Sequence, residues 1–232
     1  MKNIVFLTTI LLVFLPFCQG QSKEKNIKVD TVQLYFRTDF FNRNKEKADT
    51  IQLYFPLGII DIDTTIPRAC WREPHYSGIL YTMKEPVIYT DTSHNEIYRF
   101  TWVRSRDHPI IIRIEKQGGK YMLYWKYRNW KYYDDVWNNP EKWLMIVKQK
   151  EVDENTWNEF KNLLSQSDFW NLVTTKNDGI NFDGARWILE GKDDTRYHVV
   201  DRFSPHEKSK YYQCCDFLIK LTDLKIKNRN KY

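Results

Sequence analysis

The chain has 232 residues, of which 42% are hydrophobic and 16% aromatic, and a formal net charge of +6. A chain of this size can bury a real core, as one domain or two small ones. The positive charge does not indicate a nucleic-acid partner: Lys225, Lys227, Arg229 and Lys231 lie in a C-terminal tail that reads as a solvated helix end, attracted at most to acidic surfaces.

Residues 1–20 read as a cleaved signal peptide. Lys2 is a short positive start, Ile4 to Phe17 is mostly apolar, and Cys18-Gln19-Gly20 places small residues where a signal peptidase needs them. The apolar run is about half the ~20 residues of a membrane span. The expectation is therefore an exported chain beginning at Gln21, periplasmic or secreted, with no transmembrane span after cleavage. The alternative is lipid attachment at Cys18, against which stands Phe17, where such processing wants a small residue.

Residues 21–28 form a polar, disordered lead-in, and residues 29–232 are expected to form one α+β domain. Its first part, 29–150, reads as β-rich, 151–224 as a helix, a β-hairpin and a helix, and 225–232 as the basic tail. Asp30 to Phe36 recurs as Asp49 to Phe55, and both copies alternate as strands of one sheet would, joined by a charged loop. Asp61 to Gly78 reads as an irregular loop because Pro67, Pro74 and Gly78 interrupt it. The Asp61-x-Asp63 pair lacks the glycine and terminal glutamate of a calcium loop. An antiparallel meander is then expected over 79–83, 87–90, 96–104, 110–116, 120–127 and 143–150, with Gly118-Gly119 supplying the positive φ angles of one tight turn.

Asp153 to Leu164 reads as a helix with a capping box at Thr156 and Glu159. Ala185 to Glu190 and Thr195 to Phe203 read as the hairpin. Ser204-Pro205-His206-Glu207 then reads as the capped start of a second helix, whose apolar stripe is Tyr211, Cys214, Cys215, Leu218 and Leu221.

The run from Phe169-Trp170 through Asp183-Gly184, Trp187, Glu190, Tyr197, Arg202 and Ser204-Pro205 to the cysteine-bearing helix resembles a signature found in a group of uncharacterised bacterial proteins. The likeness spans the last third of the chain. It implies a shared α+β unit and carries no activity.

Two constellations could carry function. The aromatic run Tyr124, Trp125, Tyr127, Trp130, Tyr132 and Trp137, interleaved with Lys126, Arg128 and Lys131, could stack on the apolar faces of sugar rings while the cations hold acidic groups. This makes a non-catalytic binding or interaction module for a glycan or cell-envelope ligand the first reading. The alternative is a hydrolase. With a hairpin turn centred between Lys192 and Asp193, Ile188 faces Tyr197, and Arg186, Ile188 and Glu190 share a face with Tyr197, Val199 and Asp201. Glu190 and Asp201 around Arg186 would then be either an acid/base pair or an ion pair that orders the sheet.

The sequence contains no Gly-x-Ser-x-Gly elbow, phosphate loop, His-Glu-x-x-His or Cys-x-x-Cys, so no metal, nucleotide or other cofactor is expected. Cys70-Trp71 lacks the context of a thiol-protease nucleophile. Cys214 and Cys215 are neighbours on a helix and cannot bond to each other without strain; they are either buried thiols or one of them pairs with Cys70.

Overall fold

The computed structural model describes residues 31–33, 50–60, 72–93, 95–105, 107–128, 145–176 and 183–226. The signal peptide with Cys18, the lead-in, the charged loop after the first repeat, Asp61, Asp63, Cys70, Trp71, Trp130, Tyr132, Trp137 and the end of the basic tail lie outside them.

The fold is α+β, built on a six-stranded antiparallel sheet. Strands β3 (Glu96–Arg104), β4 (Ile110–Gln117), β5 (Lys120–Arg128) and β6 (Met145–Val152) form the meander. The hairpin of β7 (Ala185–Lys192) and β8 (Tyr197–Phe203) joins the same sheet on the free side of β3, giving the order β6-β5-β4-β3-β7-β8. The hairpin is thus part of the main sheet and not an appendage to it. The repeated segments supply β1 (Thr31–Gln33) and β2 (Thr50–Gln52), which pair with each other, antiparallel, in a separate two-stranded sheet.

Among the described residues three α-helices flank the sheet: α1 (Arg72–Thr82), α2 (Glu154–Gln166) and α3 (Lys210–Leu221). Strand alternation sends Phe100, Trp102, Ile112, Leu123, Trp125, Trp187, Leu189 and Val200 to one face, where Trp157, Phe160 and Leu164 of α2 and Tyr211, Cys214, Cys215 and Leu218 of α3 cover them. On the opposite face Ile111, Ile188 and Val199 meet Tyr54, Phe55 and Ile60, together with Tyr76 and Leu80 of α1 and Met83 just after it.

Several elements depart from expectation. Residues 79–83 belong to the end of α1 and the turn after it, not to a strand, and 87–90 form no strand. Pro74 is no breaker here because it sits in the first helical turn, where its missing N–H has no partner to lose. The helix ends in a Schellman arrangement: Lys84 takes a positive φ of 51°, and Glu85 N–H bonds Leu80 O at 3.0 Å.

The caps also fall elsewhere. Helix α2 is capped by Asp153, whose side chain accepts from Thr156 N–H at 2.7 Å. Helix α3 begins at Lys210 under Ser209, which accepts from Tyr212 N–H at 3.1 Å. Ser204 cannot cap it, because Ser204 extends the β7–β8 pairing: its N–H donates to Ala185 O at 2.8 Å and its hydroxyl accepts from Ala185 N–H at 3.1 Å.

The hairpin loop is Asp193–Arg196, centred two residues later than expected, so Ile188 faces Asp201. An even displacement preserves the faces, so Arg186, Ile188 and Glu190 still lie beside Tyr197, Val199 and Asp201. Gly191 lies inside β7, not in the turn. A Cβ there would come within 2.8 Å of the Tyr98 ring and 2.9 Å of Phe169, so glycine is what lets those rings cover the strand. Cys214 and Cys215 are free and buried, and burial pushes both thiols upward, away from reactive thiolates. Among the described residues no helix is long and apolar enough to cross a membrane.

Candidate functional site

Among the described residues, the face of the sheet turned toward α1 carries all its buried charges but Arg202, and the register places them in rows. Tyr124, Arg113, Arg99, Glu190 and Val199 lie side by side on five adjacent strands. The next row holds Lys126, Ile111, Thr101, Ile188 and Asp201. Strand pairing sets the contact between Arg99 and Glu190, and α1 with the segment after it brings other partners.

Glu190 is 1% exposed and accepts from Arg99 Nε at 2.9 Å, from Arg99 Nη2 at 2.5 Å and from the Tyr197 hydroxyl at 2.8 Å. Burial pushes its carboxyl upward from the ordinary range, against the pull of Arg99 and the hydrogen bond from Tyr197. Arg99 feels the reverse. Burial would lower its pKa, but Glu190 and Glu85 outweigh that and hold the guanidinium charged. The Tyr197 hydroxyl is raised well above its ordinary value by burial and by Glu190.

Asp201 is fully buried in a second cluster. It accepts from the Tyr76 hydroxyl at 3.1 Å and from Arg72 Nη1 at 3.4 Å, with Arg186 Nη1 at 3.6 Å. Burial and Asp201 raise the Tyr76 hydroxyl well above its usual value. Glu190 and Asp201 thus share a face but not a cation: Arg186 goes to Asp201, and the partner of Glu190 is Arg99, from a strand 91 residues away.

The aromatic run divides by strand alternation. Trp125 points to the helix-covered face, is 5% exposed, and donates from its indole N–H to Asp223 at 3.1 Å. Tyr127 packs against that same core. Tyr124 points the other way and lies half-buried over the Arg113 guanidinium, 4.4 Å from its ring centroid. A single flat aromatic shelf does not form from these three. Lys126, inside the run, is buried and donates to Met83 O at 3.1 Å and Lys84 O at 2.7 Å.

Sequence reasoning missed Glu85, Arg99, Arg113 and Glu115, which complete the charged layer. Glu85 stands 2.7 Å from Lys126 Nζ, 3.4 Å from Arg113 Nε and 3.7 Å from Arg99 Nη1, and Arg113 also pairs with Glu115. One signal was legible: Arg99, Arg113 and Glu115 stand within apolar strand runs, at positions that alternation assigns to one face. Among the described residues no group of histidines, cysteines and carboxylates is arranged to hold a metal ion. No family model matches this chain, and no curated protein matches it.

Proposed function

We propose that this is an exported, non-catalytic binding module whose ligand is a glycan or another component of the cell envelope. The observation that carries the non-catalytic part is the state of the two carboxylates. A general acid or base must reach the atom it protonates, whereas Glu190 and Asp201 are buried and each is engaged by its own cations and a tyrosine hydroxyl. They order the sheet.

Support for binding comes from the aromatic and cationic character of β4 and β5 on the α1 side, where Tyr124 and Arg113 form a stacked pair at the margin of the charged layer. An aromatic ring beside a guanidinium suits a sugar ring bearing an acidic group. Export rests on residues 1–20 and their signal-peptide pattern.

The test is calorimetric titration of the chain lacking residues 1–20 with solubilised envelope polysaccharides, in parallel with Tyr124→Ala. Saturable binding weakened at least tenfold in the variant supports the proposal. Turnover of a glycan or ester substrate that disappears in Asp201→Asn, with the fold intact, would replace it with the hydrolase reading.

A further inference from the structure

The charged layer contains an arrangement that sheet pairing alone does not explain. Arg99 and Arg113 are direct cross-strand partners on β3 and β4. Like charges so placed repel and destabilise a sheet unless an anion lies between them. Lys126 of β5 adds a third cation. The sheet itself supplies only two carboxylates to this group, Glu190 to Arg99 and Glu115 to Arg113. One positive charge remains to be balanced, and the carboxylate that balances it comes from outside the sheet.

That carboxylate is Glu85, on the strap that leaves the C-terminal end of α1. The strap is held down by the same cations: Lys126 donates to Met83 O and Lys84 O, and Arg99 Nη1 donates to Pro86 O at 2.6 Å. Yet Glu85 fills its place imperfectly. Its Oε1 is bound by Lys126 at 2.7 Å, whereas its Oε2 and Arg113 Nε, both buried, have no hydrogen-bond partner although they stand 3.4 Å apart. Backbone anchoring of the strap stops the carboxylate short of the bidentate geometry that an arginine prefers. A freely rotating carboxylate would not be so constrained.

We propose that Arg99, Arg113 and Lys126 form a carboxylate-binding site which the chain's own Glu85 occupies, and that a ligand carboxylate enters beside Tyr124 by displacing it. The approach lies along Arg113, because Arg99 is wholly buried whereas the Arg113 side chain keeps 12% of its surface exposed under the half-buried Tyr124 ring. This site does not depend on the glycan reading, since any ligand with an accessible carboxylate, from an acidic sugar or a peptide end, presents the same two oxygens. Internal competition from Glu85 raises the apparent Kd of the intact protein by the reciprocal of the fraction of time the site is open.

The experiment is chemical rescue at neutral pH, with sodium chloride of equal ionic strength as the reference. In Glu85→Ala, sodium acetate should stabilise saturably, raising the melting midpoint by about 3–6 °C at ten times its Kd, and adding Arg113→Gln should abolish the effect. Acetate acting no differently from chloride overturns the proposal. If Glu85→Ala does not fold, the unmodified protein decides by hydrogen exchange: a saturable acetate-dependent rise in exchange over residues 83–88, with the sheet unchanged, supports displacement, and no rise refutes it. Acetylglycine and galacturonate are the further probes. Tighter binding of the first than of acetate assigns a peptide carboxylate, and tighter binding of the second an acidic sugar.

Discussion

Arg99 and Glu190 face each other as direct register partners on β3 and β7, and the guanidinium holds the carboxylate through two nitrogens at 2.9 and 2.5 Å with neither group exposed to water. Removing one member of a buried pair strands the other charge, at a cost of roughly 3–5 kcal/mol, whereas replacing both by apolar residues of similar volume is often neutral. Glu190→Ala should therefore unfold at much lower urea than the parent, and Arg99→Met with Glu190→Met should recover most of the loss. Equal midpoints for the single and double variants would mean that the pair is not the unit described here.

Gly191→Ala tests the packing above β7. The added methyl meets Tyr98 and Phe169, both fully buried, so neither ring can swing into solvent to make room. Overpacking of this kind costs about 1–3 kcal/mol. Chemical denaturation should show that loss with an unchanged m-value. A variant as stable as the parent would show that these rings do not pack on the strand.

Helix α3 offers a test of where it begins. Ser209→Ala removes the acceptor of Tyr212 N–H and should cost about 1 kcal/mol, the ordinary consequence of losing a cap. Thermal melting decides it, with no change in midpoint as the contrary result.

The pH dependence follows from two histidines whose pKa values lie below the ordinary 6.5. Burial lowers His108 and His198, with Arg128 and Arg104 adding to the effect at His108 and Arg202 at His198. Between its folded and unfolded pKa values each histidine binds more protons when unfolded. Stability is thus fully present above pH 6.5 and is lost as pH falls through that value toward the folded ones. Urea midpoints measured from pH 7.5 to 5.5 should decline, and His198→Gln should flatten part of the slope. A flat profile would mean that these rings are hydrated in the folded state.

What the sequence determined by itself is whatever depends on period and local chemistry. Residues 96–104, 110–117 and 120–128 form strands because β-branched and aromatic residues dominate there, and Gly118-Gly119 turns the chain with φ angles of 56° and 82° that favour glycine. The membership of both hairpin faces was equally legible, since alternation has a period of two and survives an even error in register. Tertiary structure decided the rest. A short apolar run such as 79–83 fits either a strand or a helix until something covers it, and here the sheet takes the Tyr76, Ser77 and Leu80 side of α1. By local pattern Ser204, with Pro205 and Glu207, reads as the cap, and only the pairing of Ser204 with Ala185 removes it from that role and leaves Ser209 to cap α3. Which cation neutralises Glu190 was beyond reach for the same reason: Arg99 becomes its neighbour only when β7 docks beside β3, and a charge in a low dielectric is governed by what stands within a few ångströms of it, however far away along the chain.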